Sequence, residues 1–340
     1  QQVVEQCPAD IFKRLGISGG RQFVVKNSIG NEIPSQLTHD GKILVEIAVA
    51  PSSSATITIA TGLPKSYVNT CYGRMYPERV DDIAWENDRG AYRCYGPALQ
   101  ASGEQAFGND VWVKNTPDLV VESRYHNELV NKLSYHVDRG YGLDCYKVGP
   151  TLGCGTPAII EGDNIRFPYC WTAYEILDNG PLRFTVRLDY GANGEHRIMS
   201  LDKGSNFNKM TVWYDAITTP VDVASGVVIH TEDTESVVLG KDYVQYADPT
   251  DNPKAQNFQI YVAAIFPDGV DATRKVMYQN PVRGNAGHAL GIKKGLQPNE
   301  KFTYYFGSSW SKYDCRNQKE WQMRIDNFKL ALAQPLEIIL

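Results

Sequence analysis

Among the seven cysteines of this chain no C-x-x-C pair occurs, which removes the usual spacing of a structural zinc site. Their scatter permits a disulfide or two in an oxidising compartment without demanding one, and small buried hydrophobes are the plainer reading. No apolar run reaches the ~20 residues that a bilayer-spanning helix needs. Neither sign of charge forms long blocks: 34 basic against 39 acidic residues leave a net charge of −5. That excludes nucleic acid as the expected partner, because phosphate binding needs a basic stripe. The sequence also lacks H-E-x-x-H, G-x-S-x-G and EF-hand patterns, which sets aside zinc-protease, serine-hydrolase and calcium-sensor chemistry. Internal repeats and low-complexity segments are absent too.

What remains is a chain of 340 residues, 42% hydrophobic and 21% charged, long enough to bury a large core in one or two domains. Tyrosine (20) outnumbers phenylalanine (11), and six tryptophans are present. Such rings offer a flat apolar face with a polar edge, which suits carbohydrate, although all-β proteins also use them freely. The first residues, Gln1-Gln2-Val3, carry no initiator Met and no secretory signal. From this we expect a mature exported protein.

Short alternating segments dominate. Residues 21–62 read as a meander of strands, an N-terminal β-rich lobe over 1–62 that is either separate or the start of the main sheet. Residues 63–115 read as loop-like, rich in Gly and Pro. Residues 117–133 carry apolar positions at helical spacing, with Asp118 as the expected cap. From 157 to 310 strands return, with Asn179-Gly180 and Asn193-Gly194 as hairpin turns, and 319–333 reads as a terminal helix presenting Trp321, Ile325, Phe328 and Leu332 on one face. The expected fold is mainly β: a large antiparallel sandwich over 63–340 with a few short helices.

Two segments depart from this pattern. Tyr135-His136-Val137-Asp138-Arg139-Gly140-Tyr141-Gly142-Leu143-Asp144-Cys145-Tyr146-Lys147-Val148-Gly149 gathers an imidazole, carboxylates, cations and tyrosines among three glycines. Trp85-Glu86-Asn87-Asp88-Arg89-Gly90-Ala91-Tyr92-Arg93-Cys94-Tyr95-Gly96-Pro97 has the same character. Buried charge is costly unless paired, so both are expected to line one polar cleft. An imidazole such as that of His136 can take or give a proton near neutral pH, and in an extended segment Asp138 would share its face and orient it. A structural, hydrogen-bonded histidine is the competing reading. Arg89 or Arg93 could fork onto a substrate carboxylate, or could pair with Glu86 and Asp88 to hold a loop. Lys147 adds a point charge, Asp144 a further carboxylate. His230 ends an apolar strand, as a rim residue or a surface histidine, and Trp310 is a sugar-stacking platform or a packed aromatic. Gly149, Gly153 and Gly155 lack the Lys-Ser or Lys-Thr of a phosphate loop and are assigned to sharp turns. No cofactor is assigned; Asp248, Asp251 and Asp268 leave a bound calcium open but do not argue for it.

The Trp85–Arg89, Tyr95–Pro97, Tyr135–Gly140 and Leu143–Gly149 phrases, with Gly291 to Lys312, resemble an uncharacterised family encoded in polysaccharide-degradation loci of Bacteroidetes, a domain of unknown function found beside pectin- and uronate-processing enzymes. The resemblance covers most of the chain. Its strand-rich layout is similar to the galactose-mutarotase-like supersandwich, shared by sugar epimerases and by domains of glycoside hydrolases and polysaccharide lyases. It implies a saccharide ligand and a periplasmic or outer-surface location in a Gram-negative bacterium. The expected chemistry is β-elimination on a uronic-acid-containing saccharide. Arg89 or Arg93, helped by Lys147, would neutralise the carboxylate, His136 would take the C5 proton, and Tyr135 or His230 would protonate the leaving oxygen. Mutarotation or epimerisation, hydrolysis by a carboxylate pair drawn from Glu86, Asp88, Asp138 and Asp144, and glycan binding without turnover stay open. Oligomeric state is left unassigned.

Overall fold

The computed structural model describes residues 2–6, 11–13, 22–50, 52–336 and 339. An antiparallel main sheet of eight strands runs in spatial order Trp171–Asn179, Arg183–Tyr190, Glu195–Asp202, Phe207–Tyr214, Phe302–Trp310, Ile260–Ile265, Tyr243–Asp248 and Val237–Leu239. Side chains alternate between the two faces of a strand, and that period decides what each face buries. Met210, Val212, Tyr214, Ile260, Val262 and Ala264 point inward, into the large central core. Phe207, Tyr261, Ala263 and Ile265 point outward.

Helices of the described residues that serve these sheets are α1 (Pro97–Ala101), α2 (Val121–Leu129) and α3 (Gln318–Ala333). The outward face of the main sheet is covered by α3 through Trp321 and Ile325, with Phe328 packed alongside, as the apolar spacing predicts. Asn317 caps α3 by accepting the Glu320 N–H at 3.0 Å. Two five-stranded antiparallel sheets cover the inner face. The rear sheet comprises Asn164–Arg166, Ala158–Glu161, Val221–His230, Asn285–Leu296 and Ala272–Val282; the front sheet comprises Tyr72–Tyr76, Asp82–Glu86, Ala91–Cys94, Asp110–Val113 and Leu143–Asp144. Trp85 joins front to main: its ring stacks on Phe184 at 6.2 Å and its indole N–H donates to Asn208 Oδ1 at 2.7 Å. The architecture is mainly β, antiparallel within its sheets, with few helices.

The described strands between residues 2 and 61 make two three-stranded sheets. Phe23, Val25, Ile43 and Val45 form their own apolar cluster. Gln36 fastens this region to the main-sheet hairpin, its Oε1 accepting the N–H groups of Leu182 and Arg183 at 2.9 and 2.8 Å. The Asn193-Gly194 turn forms as expected, both residues lying in the left-handed region at φ 59° and 57°.

Residues 63–115 differ from the loop expected of them: they supply four of the five front-sheet strands. The reason lies in the alternation. Ile83 and Trp85 point into the core, whereas Asp82, Ala84 and Glu86 point to the outer face, where the polar members are nonetheless buried. A strand with two buried faces, one carrying charge, does not show an ordinary wet-and-dry pattern. Helix α2 lies across this outer face through Val121 and Tyr125, which pack on Ala84, Ala91 and Trp112. It is shorter than the 117–133 segment, and Asp118 does not cap it. Glu86 does so from the neighbouring strand.

Candidate functional site

The outer face of the front sheet collects the polar residues because adjacent strands place them side by side. Arg93 lies directly across the ladder from Asp110, and Trp112 lies across from Asp144. One Arg93 nitrogen, Nη2, stands 2.5 Å from Asp110 Oδ2 and 2.9 Å from Asp144 Oδ2, while Nη1 is 3.8 Å from Asp82 Oδ2. Three buried carboxylates thus face one buried guanidinium, more negative charge than it can balance. Burial, aided by the neighbouring Asp110, pushes the Asp144 carboxyl up to about 7 against the pull of Arg93 and His136. Burial likewise raises Asp82 to about 6, although Arg93 and Arg79 oppose it.

The two polar segments of the sequence meet here. Besides binding Asp144, Arg93 donates to the Tyr135 hydroxyl at 3.3 Å and to the Tyr95 hydroxyl at 3.2 Å. Arg79 donates to the same Tyr135 oxygen from Nε at 3.2 Å and Nη2 at 3.1 Å. The Tyr135 ring is buried against Trp112 at 4.6 Å, so its phenol oxygen is fixed between two guanidinium groups. His136 follows at once in the chain, and its side chain is 51% exposed. Its Nδ1 lies 2.9 Å from the Asp144 carbonyl oxygen, which can only accept, so Nδ1 carries the proton. Nε2 has no hydrogen-bond partner among the described residues. Asp144 Oδ2 stands 3.8 Å from Nδ1 on the same side.

Asp138, expected to orient His136, has a different task. Its Oδ1 accepts the N–H groups of Gly140 and Gly142 at 2.9 and 3.0 Å, and its other oxygen pairs with Lys312. Burial alone would raise this carboxyl, but Lys312 and the two N–H groups hold it below its ordinary value. Asp138 therefore fixes the loop that carries His136. Asp144, through its backbone, does the orienting.

Other expected site residues are occupied elsewhere. Glu86 Oε2 meets Lys114 Nζ at 2.7 Å, and Oε1 accepts the N–H groups of Val120 and Val121 at 2.7 Å each, closing the first turn of α2. Asp88 accepts the Gly204 N–H at 2.6 Å. Arg89 lies 3.6 Å from Asp314 and Lys147 3.8 Å from Glu232. His230 is not on a rim. It is fully buried, with Nδ1 2.8 Å from Asp248 and Nε2 donating to the Lys147 carbonyl at 2.9 Å, so neither nitrogen can reach a leaving group. Burial opposes its protonation, yet Asp248 carries its pKa above the ordinary histidine value. Trp310 is 2% exposed, and its indole N–H donates to the Asn257 carbonyl at 2.8 Å, which leaves no face for a sugar. The exposed ring at that place is Phe258, edge-on to Trp310 at 6.0 Å.

Sequence reasoning missed Arg79 and Asp110, and named Asp251 only among acids that could hold calcium, not beside His136. Asp110 was legible from its strand parity with Trp112, two residues on. Asp251 belongs to a loop whose backbone N–H donates to the Cys145 carbonyl at 2.8 Å, a contact no local pattern announces. Burial raises its carboxyl, while His136 opposes the rise. Six cysteines (Cys71, Cys94, Cys145, Cys154, Cys170 and Cys315) are free thiols, and Cys7 lies outside the described residues.

A family model described as a domain of unknown function, DUF4861, matches residues 8–338. The chain belongs to this DUF4861 family. A DUF4861 assignment agrees with the resemblance to a domain of unknown function and carries no activity with it. A curated relative, "Uncharacterized protein P7" of Formosa agariphila, is 28% identical over 287 residues, which span 79% of this DUF4861 chain and 69% of the relative. Among solved structures, a glycosyl hydrolase family 38 protein from Enterococcus faecalis aligns over 95% of this chain and 44% of its own, at 8% identity and a TM-score of 0.45. An α-mannosidase from Enterococcus faecalis V583 aligns over 95% and 43%, at 9% identity and a TM-score of 0.39. The chain therefore spans less than half the length of either. Likeness this loose transfers no chemistry to the DUF4861 chain.

Proposed function

We propose that this protein is an exported carbohydrate-active enzyme that cleaves uronic-acid-containing, pectin-type saccharides by β-elimination, on a galactose-mutarotase-like supersandwich. The observation that carries the reading is His136: exposed, its Nδ1–H committed to the Asp144 carbonyl, its ring 4.7 Å from that of Tyr135, whose hydroxyl two arginines clasp. In elimination, the C5–H bond breaks and its proton passes to His136 Nε2. The electron pair forms the C4–C5 double bond, the C4–O4 bond breaks, and the Tyr135 hydroxyl gives its proton to O4. Proton return from the imidazolium to the phenolate, directly or through water, closes the cycle. The Arg79 and Arg93 donors stabilise that phenolate while it exists. With both nitrogens of His230 occupied, the proton donor in this scheme is Tyr135.

The test is incubation of the purified protein with a panel of pectic and other uronate oligosaccharides, following ultraviolet absorbance of the conjugated double bond. A growing signal that His136→Ala abolishes supports elimination, and a flat trace across the panel counts against it. Faster anomer exchange by NMR without a new double bond would move the reading to mutarotation. Saturable binding with neither would make this a glycan-binding protein.

A further inference from the structure

Arg79 differs from the other cations on this face. Arg93 faces three carboxylates, Lys114 is closed against Glu86, and Lys312 is paired with Asp138. Arg124 is buried, donating to the carbonyls of Val113 and Tyr141 at 3.0 and 2.6 Å. Arg139 is exposed on the loop, and no hydrogen bond among the described residues holds its fork in place. Arg79 is half-buried and oriented, because Nε and Nη2 both donate to the Tyr135 hydroxyl. Yet among the described residues no carboxylate stands within ion-pair distance of it. Among carboxylates Asp82 acts on it most, after the Tyr135 phenol, and Asp82 Oδ2 accepts from the Tyr125 hydroxyl at 3.1 Å and stands 3.8 Å from Arg93 Nη1. Nη1 donates to no described residue.

The backbone is bent to put it there. Arg79 ends a single helical turn, Pro77–Arg79, and the next two residues, Val80 and Asp81, lie in the left-handed region at φ 44° and 64°. That conformation is strained for a β-branched valine. Gly96 helps to hold it, since a Cβ there would stand 2.1 Å from the Asp81 carbonyl oxygen. The Tyr95-Gly96-Pro97 phrase thus acts through Arg79 as well as through Arg93.

We infer that Arg79 is the anion-binding residue of the cleft, forking onto the carboxylate of a uronate unit placed against Tyr135 and His136. This rests on the saccharide reading above and adds to it a charge requirement. A guanidinium already oriented by a phenol and lacking a carboxylate is prepared for a bidentate anion. The same contact would stabilise charge spreading into the carboxylate as the C5 proton leaves.

The experiment compares trigalacturonate with its fully methyl-esterified, uncharged counterpart, using isothermal titration calorimetry on the whole chain. The native protein should prefer the acid, and that preference should shrink as salt rises. Arg79→Gln should weaken acid binding roughly ten- to hundredfold while leaving ester binding within about twofold. Arg79→Lys, keeping charge but losing the fork, should fall between. Thermal melts and near-ultraviolet dichroism report whether either variant still folds, and the salt dependence of native binding tests the inference without any variant. Equal binding of acid and ester by the native protein would overturn Arg79's role and leave the saccharide reading standing. Binding of neither across a wider glycan panel would overturn both.

Discussion

Two polar clusters share the outer face of the front sheet, and they solve the problem of buried charge in opposite ways. At the Glu86 end, one carboxylate meets one ammonium, and both carboxylate oxygens also accept N–H or N⁺–H donors. The pair is closed, helix α2 covers it, and its carboxylate is committed to structure. At the Arg93 end, one guanidinium faces Asp82, Asp110 and Asp144, and the excess is relieved by raised carboxyl pKa values and an exposed His136 beside them. A matched pair builds structure, whereas an unmatched cluster open on one side retains protons that can move.

The largest effect expected from this contrast is on stability. Glu86→Ala strands the Lys114 ammonium and uncaps α2 together, and should cost about 3–5 kcal/mol in urea unfolding. A loss below 1 kcal/mol would mean that this end is no more closed than the other. Next comes the buried His230–Asp248 pair of the rear and main sheets. Its raised histidine pKa contributes stability below the unfolded value of 6.5, and that contribution is lost as pH rises through the higher folded value. Asp248→Asn should therefore cost about 1.5–3 kcal/mol near pH 6 and progressively less in alkaline buffer.

At the unmatched end the expected effect depends on pH. The folded Asp144 holds its proton to about 7, while the unfolded chain releases it near 3.8, so the folded state binds more protons between these values and stability falls as pH rises across that window. Asp144→Asn removes this slope. Its unfolding midpoint should change little at pH 4 and gain on the native protein by pH 7.5. An unchanged difference across that range would show Asp144 to be ionised throughout. The least stability is at stake in His136→Ala, expected within about 0.5 kcal/mol of native because the ring is largely exposed. On the proposed elimination, the same variant should lower turnover of uronate saccharides by about 10²–10⁴-fold.

The succession of strands along residues 157–310 was readable, because alternation and Asn-Gly turns are local signals; their order in the sheets was not. The two charged segments could also be singled out, since a run as polar as Glu86–Arg93 or His136–Lys147 has no place in an ordinary core. What each charge does was not readable. Glu86 and Asp144 are both carboxylates at outer-face positions, and only the cover differs: helix α2 and Lys114 over the first, the His136 loop over the second. Trp310 and His230 show the same limit. Each ends a strand, and whether a strand end is rim or interior depends on loops remote in sequence, here Asn257 and Lys147.

The sequence by itself determined the β architecture, the hairpin turns and which two segments are too polar to be packing alone, because these follow from period, turn chemistry and the cost of burying charge. Only the tertiary structure decided that Asp144 rather than Asp138 orients His136, that Glu86 closes a helix, and that Arg79 shares the Tyr135 hydroxyl with Arg93. Those assignments depend on which groups stand within a few ångströms across adjacent strands, and on how much water reaches them.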